Sequence, residues 1–186
     1  YDHHFGRNRE GNYNRLRGMG ETLGFEVEEI PAQYIEDVAV SSTKIRKALM
    51  DGDVKSANKM LGYNYNICGT VVEGNKIGRT IGFPTANIDV EDGFKLIAAG
   101  GVYACHVEID GKMYKGMGNI GIRPTVGING LVTEVHIFDF DEDIYGKEIA
   151  IFFLDRIRDE RKFENLEELK EQLNTDREYT LSLLEV

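Results

Sequence analysis

Between Asn66 and Ile157 the chain is cut into short β-rich runs by Gly and Asn: "NICGTVVEG", "TANIDV", "GVYACHVEIDGKMYKGMGNI", "GINGLVTEVHIFDF" and "KEIAIFFLDRI". The Asp110-Gly111 pair inside the third run is a short-range hairpin signal, because a two-residue turn between twisted strands needs residues that accept positive φ. Five or six strands at such short intervals expose edges that pair with other chains unless they are closed, which favours a small closed barrel. After the last run the pattern turns helical. Asn165 is placed to cap a helix with Glu167 and Glu168 in its first turn, Leu166, Leu169 and Leu173 form an apolar stripe, and Asp176 is read as the start of a last helix.

Ahead of the β-rich region the texture differs. Leu16, Met19 and Leu23 recur at helical spacing, Gly24 ends the pattern, and the alternating "FEVEEI" is predicted as a strand, so the start of the chain reads as the tail of an α/β unit. In "VSSTKIRKALMDGDVKSANKMLG" a Ser/Thr cluster caps a short helix, Gly52 interrupts it, and Asp53 caps a second helix ending near Gly62. A domain boundary is therefore expected at 62–66, giving an α/β remnant over 1–62 and a β-rich domain over 63–186. The opening "YDHHFGRNREGN", without an initiator Met, reads like a loop in mid-fold, as in a fragment of a longer protein.

Charge narrows the function classes. Residues 1–62 carry 9 basic and 10 acidic groups, residues 63–186 carry 13 and 22, and the whole chain of 186 residues has a net charge of −10. An acidic surface repels a phosphate backbone, so no nucleic-acid partner is expected, and an anionic ligand has to be held locally by backbone N–H groups, a few cations or a metal. No apolar run reaches the length of a membrane span, and no membrane partner is expected. Cys68 and Cys105 belong to no CxxC or Cys/His cluster, which reads as buried thiols in a reducing compartment, by default the cytoplasm.

The stretch "EGNKIGRTIGFPTAN" gathers Gly74, Gly78 and Gly82 around Lys76 and Arg79. Such a loop can wrap polyphosphate through its N–H groups, or can simply be a hairpin tip, since neither a Walker pattern nor GxGxxG is present. Thr85 and Asn87 then share one face of an extended segment and can offer a hydroxyl and a carbonyl oxygen to a hard cation such as Mg²⁺. In "VTEVHIFDF", Val132, Glu134, His136, Phe138 and Phe140 alternate with Thr133, Val135 and Ile137, so both faces are largely apolar and the strand is expected to be buried. A carboxylate there is costly unless paired or used, which makes Glu134 a candidate general base beside the reading of a Glu at the rim of a barrel. His136 is read as a packed histidine. "DFDEDIYG" starts like a calcium loop but has Ile144 where Gly is needed and Ala150 where Glu is needed, so a solvated acidic turn is expected. The adjacent His3 and His4 lack a third ligand. "SSTKIR" brings Ser42, Thr43 and Arg46 together as an anion site at a helix N-terminus or, favoured on spacing, as a plain helix cap.

Taken together these motifs resemble the bacterial bifunctional riboflavin kinase/FMN adenylyltransferases, also called FAD synthetases. "GRTIGFPTANI" is similar to that family's Pro-Thr-Ala-Asn signature, "GNIGIRPTV" and "TEVHIFDFDEDIYGKEI" to its later kinase motifs, and "VSSTKIRKAL" to the end of its adenylyltransferase module. The resemblance implies a six-stranded Greek-key β-barrel with a C-terminal helix, preceded by the α/β tail of a nucleotidyltransferase domain. It implies Mg²⁺-dependent transfer of the ATP γ-phosphoryl group to the riboflavin 5′-hydroxyl, with FMN and ADP as products. By the same resemblance Thr85 and Asn87 match the residues that hold Mg²⁺ and nucleotide phosphates, the loop from Gly74 to Gly82 with Lys76, Gly78 and Arg79 matches the ATP-phosphate flap, and Glu134 matches the general base. Arg158 and Phe163 fall where the family forms part of its flavin site. Asp2, Ser42, Thr43 and Arg46 match what remains of the adenylyltransferase site, whose His-x-Gly-His element has no counterpart here; this chain is accordingly expected not to make FAD, although a full-length parent would. Partners are small-molecule substrates, and self-association of the full-length protein stays open. The rival readings are a non-catalytic flavin- or nucleotide-binding barrel and an oligonucleotide-binding barrel, the latter opposed by the acidic charge.

Overall fold

A computed structural model describes residues 4–35, 38–90, 93, 95–122 and 131–184. The chain divides into two compact units, Tyr1–Val40 and Ser41–Val186. In the first, helix α1 (Tyr13–Leu23) begins at Asn12, whose side chain accepts from the Arg15 N–H at 3.0 Å, and ends at Gly24 in the left-handed region. The strand expected at "FEVEEI" is not formed; residues 25–30 are irregular, since an alternating pattern becomes a strand only when a partner supplies a ladder, and none of the described strands does. The unit has instead a small hairpin, β1 (Tyr34–Ile35) with β2 (Val38–Ala39).

The second unit opens with α2 (Ser42–Asp51) and α3 (Val54–Leu61). Ser41 caps α2, accepting from the Lys44 N–H at 3.3 Å, and Asp53 caps α3, accepting from the Ser56 N–H at 3.0 Å, with Gly52 and Gly62 closing the two helices. Six strands follow: β3 (Asn66–Val72), β4 (Ala86–Asp89), β5 (Gly101–Ile109), β6 (Lys112–Ile122), β7 (Leu131–Ile137) and β8 (Glu148–Arg158). They close into a barrel in the order β3-β4-β7-β6-β5-β8, all pairings antiparallel, with β8 returning to β3. Asp110 and Gly111, at φ 50° and 75°, make the β5–β6 turn, the two positive values that a turn matching the strand twist demands. A one-turn helix, α4 (Ile77–Thr80), sits in the β3–β4 connection, and α5 (Leu166–Leu184) ends the fold.

The barrel is filled by the inward half of each alternation, with Ile67, Tyr103, Val107, Ile120, Val135, Ile151 and Phe153 fully buried. Burying each such side chain stabilises the fold by roughly 1.5–3 kcal/mol. Leu49, Val54 and Ala57 of α2 and α3 join the same core, and the Asn58 carboxamide donates to the Phe153 carbonyl at 2.8 Å, so the compact unit takes in the two helices that precede the composition change at 62–66. Cys105 is buried inside, where burial pushes its thiol well above the ordinary range, but Cys68 is exposed, because Ile67, Gly69 and Val71 take the inward positions of β3. Asp176 does not start a separate helix. It lies inside the continuous α5, whose N-cap is Asn165, accepting from the Glu168 N–H at 2.8 Å. Leu169 and Leu173 pack with Leu181 on Ile81 and Phe83 of the β3–β4 connection, Met117 of β6 and Phe138 just past β7, whereas Leu166 remains exposed.

Candidate active site

The outer face of the sheet carries a row of polar side chains. Val72 pairs with Asn87, Asn87 with Glu134, and Glu134 with Asn119, so the two carboxamides flank the carboxylate across three neighbouring strands. β7 is not buried on both sides as its composition suggested. Thr133, Val135 and Ile137 point into the barrel, while Glu134 and His136 are half-buried on the outside, where α5 and the β3–β4 connection provide the cover. Phe140 falls beyond the end of β7 and packs edge-on against Tyr114 at 5.0 Å.

Thr85 stands two residues before Asn87 on the same face, and its hydroxyl donates to the Glu134 carboxylate at 3.4 Å. It borders two clefts. The first, about 550 Å³, is walled by Arg79, Pro84, Thr85, Tyr145 and the acidic turn Asp141–Asp143. The second, about 310 Å³ and more apolar, lies between the barrel and α5 and is walled by Ile81, Phe83, Met117, Leu169 and Leu173, with Glu134, Asn119, Arg158 and Phe163 contributing polar and aromatic groups. Thr85 is therefore the junction of a polar cleft and an apolar one, with Glu134 on the apolar side.

The glycine loop closes upon itself. The Phe83 N–H donates to the Gly78 carbonyl at 2.8 Å, and a Cβ on Gly74 would overlap the Asn87 carboxamide, so Gly74 is a close-approach position that holds Asn87 covered. Lys76 is paired with Glu73 at 3.2 Å, with its ammonium 5.6 Å from the centre of the Tyr145 ring. Of the loop residues, Arg79 lines the polar cleft and Gly78 the apolar one, whereas Gly74, Lys76 and Gly82 line neither.

Arg158 is held by a residue the sequence reading had assigned elsewhere. Its Nε donates to both Asp176 oxygens at 3.0 Å and its Nη2 to Oδ2 at 2.7 Å, while Gln172 donates to Asp176 Oδ1 at 2.9 Å. Asp176 is 1% exposed, so this ion pair ties β8 to α5 in the interior. β8 has an irregular register there, Val102 pairing with Arg158 and Tyr103 with Arg156, and such an extra residue re-aims the side chains around it. Phe163 is bracketed by two guanidinium groups, 5.7 Å from Arg158 and 4.7 Å from Arg161. His136 is a packed histidine, its Nδ1 2.7 Å from the Pro84 carbonyl, and burial lowers its proton affinity below the ordinary value.

Elsewhere the expected residues are less engaged. Ser42, Thr43 and Arg46 are exposed on α2 and line neither cleft, the capping role having fallen to Ser41. Asp2 and His3 lie outside the described residues, as does "GNIGIRPTV" from Arg123 onward. Among the described residues there is no cluster of three or more His, Cys, Asp or Glu side chains suited to a metal, and in "DFDEDIYG" the carboxylates are exposed while Ile144 is buried in the core, with Asp143 accepting from the Tyr145 N–H at 3.1 Å.

The family model described as Flavokinase, riboflavin kinase, matches residues 61–184. The chain belongs to the riboflavin kinase family. Curated relatives include a bifunctional riboflavin kinase/FMN adenylyltransferase of Haemophilus influenzae, 43% identical over 94% of this chain, and one of Escherichia coli, 39% identical over 94%. The counterpart in Bacillus subtilis is 44% identical over 77% of this chain. The chain spans 56% of the length of the first two relatives and 46% of the third. A crystal structure from Streptococcus pneumoniae that bears the name macrolide-efflux protein is 40% identical, with a TM-score of 0.86 over 96% of this chain and 57% of that one. Among the described residues no helix is long and apolar enough to cross a membrane. Riboflavin and ATP are the substrates that the riboflavin kinase family implies, and the closed six-stranded barrel with its C-terminal helix is the fold expected from the sequence.

Proposed function

We propose that this chain transfers the γ-phosphoryl group of ATP to the 5′-hydroxyl of riboflavin, with the nucleotide in the polar cleft and the flavin in the apolar one. The observation that carries this reading is the position of Thr85, which borders both clefts and hydrogen-bonds Glu134 at 3.4 Å. Phosphoryl transfer asks mainly for alignment and charge neutralisation, which an acidic protein can supply locally. Glu134 accepts the proton of the ribityl hydroxyl as its oxygen bonds to the γ-phosphorus; the bridging bond to the β-phosphate breaks, ADP leaves, and Glu134 returns its proton to water. Arg79 faces the phosphates, and Arg158 and Phe163 border the flavin.

Thr85, at the rim of both clefts, would offer one neutral oxygen and Asn87, covered under Gly74 and lining neither cleft, a second on the same face; a site of one or two protein oxygens suits Mg²⁺. That ion, when bound, neutralises phosphate charge. Incubating the purified chain with riboflavin and Mg·ATP, and separating the products by chromatography, tests the reading: FMN and ADP in equal amounts support it, and flavin binding without FMN would identify a non-catalytic barrel.

Two substitutions probe the corner. Thr85→Ala is expected to lower kcat/KM for Mg·ATP by about tenfold to a hundredfold, a loss of one charge-assisted contact, with the thermal midpoint little changed. Gly74→Ala pushes the Asn87 carboxamide aside and is expected to raise KM for ATP more than KM for riboflavin, read in the same assay. We infer that residues 1–62 belong to a module for the second activity named for the relatives, adenylyl transfer to FMN.

A further inference from the structure

The mechanism above leaves a half-buried histidine beside the site unused. His136 lies two residues after Glu134 on the same face of β7 and borders the apolar cleft. Its Nδ1 is 2.7 Å from the Pro84 carbonyl oxygen. A carbonyl only accepts, so Nδ1 carries the proton. The ring is held between Phe83, at 5.2 Å, and Phe138, at 5.5 Å, both tilted against it.

The acceptor is as informative as the donor. Pro84 O belongs to the peptide bond that leads into Thr85. On the other side, the Phe83 N–H is bonded to the Gly78 carbonyl, and a Cβ on Gly78 would overlap the Phe83 carbonyl, so the approach to Pro84 is set by a tight backbone contact. The proline ring fixes φ of Pro84. The one soft dihedral left before Thr85 is ψ of Pro84, which decides where the Pro84 carbonyl points and, with φ and χ1 of Thr85, where the Thr85 hydroxyl lands.

We propose that His136 is a positioning residue: by donating from Nδ1 to the Pro84 carbonyl it fixes ψ of Pro84 and so holds the Thr85 hydroxyl beside Glu134. This rests on the kinase reading. His136 touches neither the transferred phosphoryl group nor the proton in flight; it sets the corner on which both clefts meet. Burial disfavours a second proton on the ring and Arg177 adds to that, while the Pro84 carbonyl and Asp139 oppose it, so the neutral Nδ1–H tautomer is the working form.

The test compares two variants. His136→Phe keeps an aromatic ring between Phe83 and Phe138 but has no donor, and His136→Asn places a carboxamide N–H close to where Nδ1–H stood. His136→Phe is expected to lose roughly tenfold to a hundredfold in kcat/KM for Mg·ATP, the scale of a misplacement near 1 Å, with KM for riboflavin nearly unchanged; His136→Asn should regain most of the loss. Nitrogen-15 NMR of the wild-type imidazole should show the Nδ1–H tautomer. The proposal is overturned if His136→Phe turns over like wild type, if His136→Asn is no better than His136→Phe, or if the ring carries its proton on Nε2. Should His136→Phe not fold, the asparagine variant and the tautomer decide. An inactive wild type would overturn the kinase reading and this role together, whereas an active wild type indifferent to His136 overturns the role alone.

Discussion

With Glu134 replaced by Gln, riboflavin and Mg·ATP should still bind while kcat falls by about two to four orders of magnitude, the range a positioned general base contributes. Glutamine keeps the volume and can still accept from the Thr85 hydroxyl, whose distance to the carboxylate is 3.4 Å, so the corner keeps its shape and loses only its proton acceptor. The flanking Asn87 and Asn119 carry no carboxylate that could substitute. The predicted signature is a fall in kcat with little change in either KM, measured by steady-state FMN formation. A glutamine variant keeping more than about a tenth of wild-type turnover would remove Glu134 from this role and leave it as a positioning group for Thr85.

The largest effect on stability is expected at Asp176. Removing the carboxylate in Asp176→Ala leaves Arg158, 17% exposed at its side chain, with the ion-pair partner of its Nε and Nη2 gone, and Gln172 loses its acceptor as well. Breaking one side of a buried pair costs about 3–5 kcal/mol, because a charge stays behind without compensation. For a chain of this size that corresponds to a fall of about 6–20 °C in thermal midpoint. The double variant Arg158→Met with Asp176→Leu should recover much of it, since an apolar pair of similar volume replaces both charges. Calorimetry of the three proteins checks this; a single variant melting within about 2 °C of wild type would mean that the pair contributes little to holding α5 on the barrel. Because Arg158 also borders the apolar cleft, the single variant should weaken riboflavin binding even at temperatures where it is folded.

How far the sequence reaches is best seen residue by residue. The β3 to β8 strands were readable because each lies in a short β-rich run bounded by turn residues, and the caps at Asn165 and Asp53 because capping is a local bond between a side chain and an N–H three residues on. "FEVEEI" has the same period and forms no strand, since a ladder needs a second strand that no local pattern supplies. The exposure of Cys68 and the half-burial of Glu134 depend on which face of each strand closes inward, and that is decided by the barrel as a whole. Asp176 carried a signal that was available: at spacings of seven and three from Leu169 and Leu173 it shares their helix face, where a carboxylate demands a buried partner. The partner itself, 18 residues upstream on β8, was not predictable from the spacing.

The sequence by itself pointed to a small closed barrel of five or six strands and, through motifs in order, to the family, because these follow from local periodicity, turn chemistry and motif order. The tertiary structure alone decided that Thr85 stands between two clefts, that Asn87 and Asn119 flank Glu134, and that Asp176 and His136 hold the frame around them. Those relations come from cross-strand register and helix docking, which bring residues dozens of positions apart to within hydrogen-bonding distance and leave no trace in the spacing along the chain.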